Sequence, residues 1–303
     1  MKRTVLPLLL GTIVLVACGP NNRGGDDFGN DGGGSNGSGS NGSGNDGCSA
    51  ASKLVYVVDS NKKLSQFDPT TKAFTDLGTL NCSAGAMPFS MGVDRNATAY
   101  VLYTDTKIYK VDTQTAGLPC TATSFTAPSD LTEFGMGFST TTAGGDVDQL
   151  FVAGGTSVAI GSSSKLRSLD VTSMTTAGSG TVDGSPELTG NSNAELWGFF
   201  PDTSNPKIEK INKMTGVAES TFPLTDAASF QGQPLDWAFA FYGGDYWIFL
   251  EKDPASDPLG LAPETFTTVY QVSDTGVLKG HTPAPGRSIV GAGVSTCAPV
   301  VIQ

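Results

Sequence analysis

The chain has 303 residues, a formal net charge of −11 and a mean hydropathy of −0.06. With 29 acidic against 18 basic residues and no lysine or arginine cluster, it lacks the cationic surface that phosphate binding needs, which excludes nucleic acid as a partner. A single histidine, His281, excludes histidine-rich metal sites.

The N-terminal segment, residues 1–17, has the order of a secretory signal peptide. Lys2 and Arg3 form a charged start, and a largely apolar run from residue 5 to residue 16 follows before the small residue Ala17. A permanent membrane-spanning helix needs roughly 20 apolar residues, so this run is too short to be one. The segment therefore predicts export and removal of the first 17 residues.

The end of this segment, Leu-Val-Ala-Cys at 15–18, resembles the lipobox of bacterial lipoproteins. The resemblance implies that Cys18 receives a diacylglyceryl group and becomes the first residue of the mature protein, so that the membrane is a partner through an N-terminal lipid anchor. An Asp after the cysteine would resemble an inner-membrane retention signal. Gly19 stands there instead, which favours the outer membrane, on its periplasmic side or at the cell surface. The alternative is an ordinary signal peptide followed by a chance cysteine.

Residues 18–47, which follow the signal peptide, cannot form a core. After Cys18 they consist of Gly, Asn, Ser and Asp, apart from Pro20, Arg23 and Phe28. Such a composition buries too little apolar surface to fold. We expect a flexible linker with an r.m.s. reach on the order of 30 Å, which would hold a domain of residues 48–303 clear of the lipid headgroups.

A five-residue pattern recurs in this domain, each time directly before turn-forming residues. Its first and fourth positions are apolar, it ends in Asp, Asn or Ser, and successive copies are 42 to 61 residues apart. The copies are 64–68, 108–112, 166–170, 208–212 and 269–273. A unit of roughly 40–50 residues built from short strands is the signature of a β-propeller blade.

A second pattern places a small residue inside a mostly apolar stretch once per unit. These residues, 45 to 53 positions apart, are Gly92, Gly137, Gly190, Ala240 and Gly293. Strands crowded around a narrow axis have little room for side chains, so these stretches are predicted to be the innermost strands. The first unit has no such stretch and the last stretch has no unit after it, which predicts that the two ends of the chain share one blade.

The sequence therefore predicts an all-β fold, a five-bladed β-propeller of four-stranded antiparallel blades with velcro closure by the N- and C-terminal strands. The first repeat resembles YVTN-type and NHL-type propeller repeats. That resemblance implies a fold and no particular function, because such propellers include binding proteins, scaffolds and enzymes. A monomer is expected.

Four cysteines remain once Cys18 is assigned to lipid. An even number in an exported chain predicts two disulfides, although the sequence alone allows three pairings. The blade register favours Cys48 with Cys297, which would meet in the closing blade, and Cys82 with Cys120 in neighbouring blades. A zinc site is the weaker interpretation because the chain has no Cys-x-x-Cys pair.

The candidate binding surface is one rim of the propeller, where loops from second to third strands meet the loops that precede the inner strands. The longest of the former, 154–164 and 252–267, lie there, and loop insertions often carry function. Six residues are predicted on this rim: Asp130, Glu133, Asp236, Trp237, Glu251 and Asp253. We expect an unidentified protein or carbohydrate ligand to contact this acidic rim. The alternative is that the insertions and acids are solvated surface without a ligand.

Three functions fit these features. The first is a lipid-anchored binding or scaffolding module of the cell envelope, without catalytic activity or cofactor. The second resembles the calcium-dependent propeller lactonases, with Glu133, Glu187 and Asp236 as the metal candidates. Those acids stand at two different offsets from the aligned small residues and no matching asparagines accompany them, which favours the first function. The third is a purely structural envelope protein.

Overall fold

The computed structural model describes residues 48–157, 159–224, 228–256 and 265–301. The signal peptide, Cys18 and the linker of the sequence predictions lie outside these residues. Within them, twenty strands form five antiparallel sheets of four strands each. This architecture confirms the five-bladed β-propeller predicted from the repeats.

The strands of the first three blades follow one another along the chain. Blade 1 contains β1 Val55–Asp59, β2 Lys63–Asp68 and β3 Ala73–Thr79. Blade 2 contains β4 Pro88–Val93, β5 Thr98–Tyr103, β6 Ile108–Asp112 and β7 Cys120–Ala122. Blade 3 contains β8 Glu133–Thr140, β9 Asp148–Gly155, β10 Ser164–Asp170 and β11 Thr175–Val182.

The remaining strands form blades 4 and 5 and complete blade 1. Blade 4 contains β12 Glu187–Gly190, β13 Leu196–Phe200, β14 Lys207–Ile211 and β15 Ala218–Pro223. Blade 5 contains β16 Pro234–Tyr242, β17 Asp245–Lys252, β18 Thr268–Ser273 and β19 Leu278–Pro283. The last strand is β20 Ile289–Val294. The described residues also contain three 3-10 helices outside the sheets, at Ala51–Lys53, Ala228–Phe230 and Pro254–Ser256. Among the described residues, no helical segment combines the length and hydropathy of a membrane span.

The two ends of the domain close the ring. β20 pairs antiparallel with β1, from Val294 opposite Val55 to Gly291 opposite Val58. The inner strands β20, β4, β8, β12 and β16 contact one another in that order, and β16 returns to contact β20. The predicted velcro closure is therefore present, and the five inner strands surround the axis.

Glycine lets the inner strands of blades 3 and 4 approach each other closely. A Cβ atom on Gly135 would lie 2.2 Å from the carbonyl oxygen of Pro186, and one on Gly137 would lie 2.7 Å from the carbonyl carbon of Leu188. Side chains at these positions would push β8 away from β12. The small residues of the second sequence pattern thus reflect backbone contact at the axis.

The repeated Asp, Asn or Ser has a local structural cause. Strands are counted outward from the axis, so the third strands are β2, β6, β10, β14 and β18. Each of these polar residues ends a third strand or directly follows it, and its side chain accepts a hydrogen bond from the backbone N–H two residues later. The distance is 2.8 Å for Asp68, 2.9 Å for Asp112 and 2.8 Å for Asp170. Asn212 and Ser273 make the same bond at 3.1 Å and 3.3 Å. A short polar side chain that can stabilise the turn in this way is therefore needed at the end of every third strand.

The hydrophobic core is divided into five clusters, one between each pair of adjacent blades. Second strands contribute to two clusters at once, because alternate side chains point to opposite faces. In β1, for example, Val55 and Val57 pack toward blade 5 while Tyr56 and Val58 pack toward blade 2. This double burial explains why the second strands are almost continuously apolar in sequence.

Two disulfides are present in the structure. Cys48 is bonded to Cys297, with Cα atoms 5.7 Å apart, and so joins the beginning of the domain to the segment after β20. Cys82 is bonded to Cys120, with Cα atoms 5.2 Å apart, and joins the connection between blades 1 and 2 to β7. These are the two pairs that the blade register predicts.

Candidate functional site

A cavity of about 550 Å³ lies at the end of the axis where the inner strands begin. All five blades line it, through residues that include Ser60, Phe89, Glu133, Glu187 and Asp236. We call this end the upper rim, the opposite end the lower rim, and the cavity the axial pocket. Small-molecule pockets typically have volumes of about 300–1,000 Å³, so the axial pocket is large enough for such a ligand.

The loops of the upper rim are of the two kinds that the sequence predicts. Loops from second to third strands contribute Ser60, Thr104 and Ile160 to the pocket lining. The long insertion after β17 also starts at this rim, because the Asp253 N–H donates to the Gln233 carbonyl oxygen at 2.9 Å. The middle of that insertion, residues 257–264, lies outside the described residues.

Part of the lining of the axial pocket is apolar. Trp237 is half-buried and packs against the cluster between blades 4 and 5. Leu235 and Met87 line the pocket with 44% and 50% of their surface exposed, although both are apolar. Phe89 adds a second half-buried aromatic ring. A ligand that covered these side chains would remove their apolar surface from water.

Glu187 is the most enclosed acid of the lining, with 3% of its surface exposed. The Ser90 hydroxyl donates to Glu187 Oε2 at 2.9 Å and accepts from the Met136 N–H at 3.1 Å, so the carboxyl links three inner strands. Burial raises the pKa of Glu187 well above its ordinary value. This carboxyl therefore supports the ring as well as lining the pocket.

Asp236 shares its part of the wall with a second, more deeply buried acid. Its Cα partner on β17 is Glu251, which is 5% exposed. Burial first, and then the charge of Glu251, raise the pKa of Asp236 to about 6. An acid with a raised pKa in the folded state favours folding below its unfolded pKa of 3.8, and this contribution is lost as pH rises through 6. At neutral pH the ionised Asp236 therefore weakens the fold.

The structure brings together some of the six predicted rim residues and separates others. Glu133, Asp236 and Trp237 line the axial pocket, together with the metal candidate Glu187. Asp130, Glu251 and Asp253 do not belong to the described lining.

Asp130 accepts a 2.7 Å hydrogen bond from Arg167 Nη2, and this bond lowers its pKa. Asp253 accepts from the Ala255 N–H at 2.9 Å and stabilises a turn. Both acids are thus engaged in local structure outside the pocket.

A calcium site is not visible in the arrangement of the acids. In the part of the chain that the structure describes, no three His, Cys, Asp or Glu side chains are grouped closely enough to hold a metal ion. His281 lies on the outermost strand β19, with its ring centroid 5.9 Å from that of Tyr270, and is not in the described pocket lining.

The comparisons with known proteins concern the fold. No protein-family model matches the chain, and no curated protein matches its sequence. Among solved structures, a protein of unknown function from Bacteroides caccae is 11% identical with a TM-score of 0.44. The match covers 79% of this chain and 97% of that protein. A chain of a nidogen/laminin complex is 10% identical with a TM-score of 0.47, and the match covers 82% of this chain and 99% of that chain. The Dos1 propeller is 11% identical with a TM-score of 0.41, with 82% and 72% covered. The strand topology itself makes the domain a five-bladed β-propeller.

Proposed function

We propose that this chain is an exported, lipid-anchored β-propeller of the bacterial outer membrane that binds a ligand in its axial pocket and performs no catalysis. The axial pocket is the observation that carries this proposal. It has a volume of about 550 Å³, combines exposed apolar side chains with three carboxyl groups, and receives residues from every blade. Concave sites with apolar walls and a few convergent polar groups are typical of ligand binding.

Binding is favoured over catalysis by the chemistry of the lining. No histidine, cysteine, lysine or arginine is among the described lining residues, so a nucleophile activated by a neighbouring base has no obvious members there. Of the acids, Glu187 is already engaged by Ser90. A metal-assisted hydrolase would need several ligands grouped around one point, and the described acids do not form such a group.

The lipid anchor rests on the sequence order that ends at Cys18 and on the point where the linker joins the domain. Cys48 lies at the lower rim, bonded to Cys297, and Arg95 Nη2 donates to its sulfur at 3.5 Å. Arg95 also donates to Asp148 and Thr296 at 3.3 Å and 3.1 Å, in turns that follow the ends of inner strands. Cys48, the first described residue of the domain, therefore lies at the end of the propeller opposite the axial pocket.

Metabolic labelling tests the anchor. In a bacterial host, labelled palmitate is expected to enter the wild-type chain and not Cys18→Ser, because the thiol at Cys18 is the acceptor that the lipobox resemblance implies. The variant is also expected to leave the membrane fraction. Equal labelling of both chains would refute the assignment of Cys18.

Ligand binding is tested with two apolar truncations of the pocket. A ligand found by screening small molecules against the full-length chain is expected to bind at least about tenfold more weakly to the double variant Leu235→Ala, Trp237→Ala, because central apolar contacts dominate affinity. Calorimetric titration measures the change. Val277→Ala is the control, since Val277 is 61% exposed and lies in the turn between β18 and β19, outside the pocket.

Two results would contradict ligand binding in the axial pocket. If the double variant kept full affinity for every ligand found, or if the screen yielded none, the axial pocket would not be the binding site proposed.

A further inference from the structure

The ionisable groups that line the axial pocket are all acids. Glu133, Glu187 and Asp236 line it, and no basic side chain does so in the described part of the chain. Lys252, whose Cα partner on β16 is Pro234, donates to the carbonyl oxygens of Ser229 and Gln231 at 2.8 Å and 3.0 Å. The pocket therefore presents negative potential to whatever occupies it.

Glu251 adds an observation that the acids alone would not supply. It is paired with Asp236 across β16 and β17, and residues paired in this way place their side chains on the same face of the sheet. Glu251 has 5% of its surface exposed, and its Oε2 atom has no hydrogen-bond partner among the described residues. A buried carboxyl oxygen without a donor is destabilising, and Glu251 therefore adds unbalanced negative charge directly next to Asp236.

The apolar part of the lining suits a hydrocarbon body. Trp237 and Phe89 offer aromatic rings, and Leu235 and Met87 offer exposed aliphatic surface. An organic cation next to an aromatic ring is attracted to the face of the ring. Acids and apolar side chains that line the same pocket thus fit one amphipathic ligand.

We propose that the axial pocket binds a protonated primary amine with an apolar body, its ammonium group donating to the Asp236 carboxylate with Glu251 behind it and its body lying against Trp237 and Leu235. This inference rests on the proposed function, because it names the chemistry of the ligand in the same pocket. An N–H donor is specified, rather than positive charge alone, because the Asp236 carboxylate accepts hydrogen bonds and a quaternary ammonium has none to donate.

Four probes with the same phenyl group test the proposal: phenethylammonium, its N-trimethyl derivative, 2-phenylethanol and phenylacetate. Titration calorimetry on the full-length chain in detergent is expected to show the tightest binding for phenethylammonium, weaker binding for the trimethyl derivative, and the weakest for the alcohol and the acid. Asp236→Asn is expected to reduce the affinity for phenethylammonium roughly 10- to 100-fold, the effect of losing a charge-assisted hydrogen bond.

Asp274→Asn is the matched control. It makes the same change of charge in the exposed turn between β18 and β19, at the lower rim, and is expected to leave the affinity unchanged. Asp236→Asn remains testable at neutral pH, since the ionised side chain that it removes weakens the fold there.

The affinity for phenethylammonium is also expected to rise with pH between 5 and 7, because Asp236, with a pKa of about 6, must lose its proton to accept the cation. Asp236→Asn should abolish much of this rise. The titratable groups that line the pocket with Asp236 are Glu133 and Glu187, and those next to it on β17 are Glu251 and Lys252. Arg287, just before β20, donates to Ser65 and Asp76 of blade 1.

Each alternative result has a definite meaning. If the alcohol or the acid bound as tightly as the amine and lost affinity in Trp237→Ala, the pocket would be a binding site, but the proposal that its ligand is a cation would be wrong. Equal binding of the trimethyl derivative would overturn the need for an N–H donor. If none of the four probes bound, the inference would be overturned, while a different ligand lost in Leu235→Ala, Trp237→Ala would still support the proposed function.

Discussion

Gly135→Ala is expected to lower the free energy of unfolding by about 3 kcal/mol or more, the upper part of the range for overpacking a well-filled interior. The added Cβ would lie 2.2 Å from the Pro186 carbonyl oxygen and 2.8 Å from the Glu187 Cα. Both are backbone atoms, so no side chain can rotate to make room. Blades 3 and 4 would have to separate at the axis. Urea unfolding followed by circular dichroism measures the loss.

Gly85→Ala is the control for this substitution. A Cβ atom there meets nothing within 4 Å, and Gly85 does not have the positive φ that favours glycine. Its effect is expected to be within about 1 kcal/mol, with the sign set by the unfolded chain. Similar losses in the two variants would mean that the inner strands of blades 3 and 4 are not in backbone contact.

Removing the Cys48–Cys297 disulfide is expected to lower the free energy of unfolding by about 5 kcal/mol. The bond closes a loop with a sequence separation of 249, and in the chain-entropy model the stabilisation grows with the logarithm of the loop length. The double variant Cys48→Ser, Cys297→Ser removes the bond without leaving a free thiol. Denaturant unfolding of this variant and of the intact chain, at the same pH and salt concentration, gives the difference.

The second disulfide serves as the internal comparison. Cys82–Cys120 spans a separation of 38, for which the same model gives about 4 kcal/mol. The loss in Cys82→Ser, Cys120→Ser should therefore be smaller than the loss in the first double variant. The reverse order would show that loop length does not control the stabilisation in this ring and that local contacts around blade 2 dominate.

The parts of the fold that the sequence could predict are those with a strict physical requirement. Third strands could be found because each ends in a side chain that must stabilise the following turn, as Asp68 does for Thr70. Inner strands could be found because close backbone approach leaves room only for small residues, as at Gly137. Outer strands such as β7, Cys120–Ala122, are short and largely exposed, so no burial pattern marks them.

The candidate site was predictable in part for the same reason. Glu133, Asp236 and Trp237 are polar or aromatic residues at the start of inner strands, where the rim must be. Glu251 is predicted on the rim because it directly precedes the insertion 252–267, whereas β17 extends to Lys252 and Glu251 is buried within it. Phe89 and Leu235 were missed because an apolar residue at the mouth of a pocket looks the same in sequence as one in the core. Whether such a residue lines a pocket depends on the blade that lies opposite, and that blade is formed by residues far away in the sequence.

The covalent bond at the lower rim also determines how the domain would respond to mechanical force. A pull transmitted through the residues before Cys48 would reach the domain at Cys48, whose sulfur is bonded to Cys297. The tension is thus shared between both termini of the closing blade before it reaches β1, which is hydrogen-bonded to β2 on one side and β20 on the other. The disulfide thus opposes the separation of β1 from β20. A load between the lower rim and a body held at the upper rim would run along the axis and be distributed over the blades.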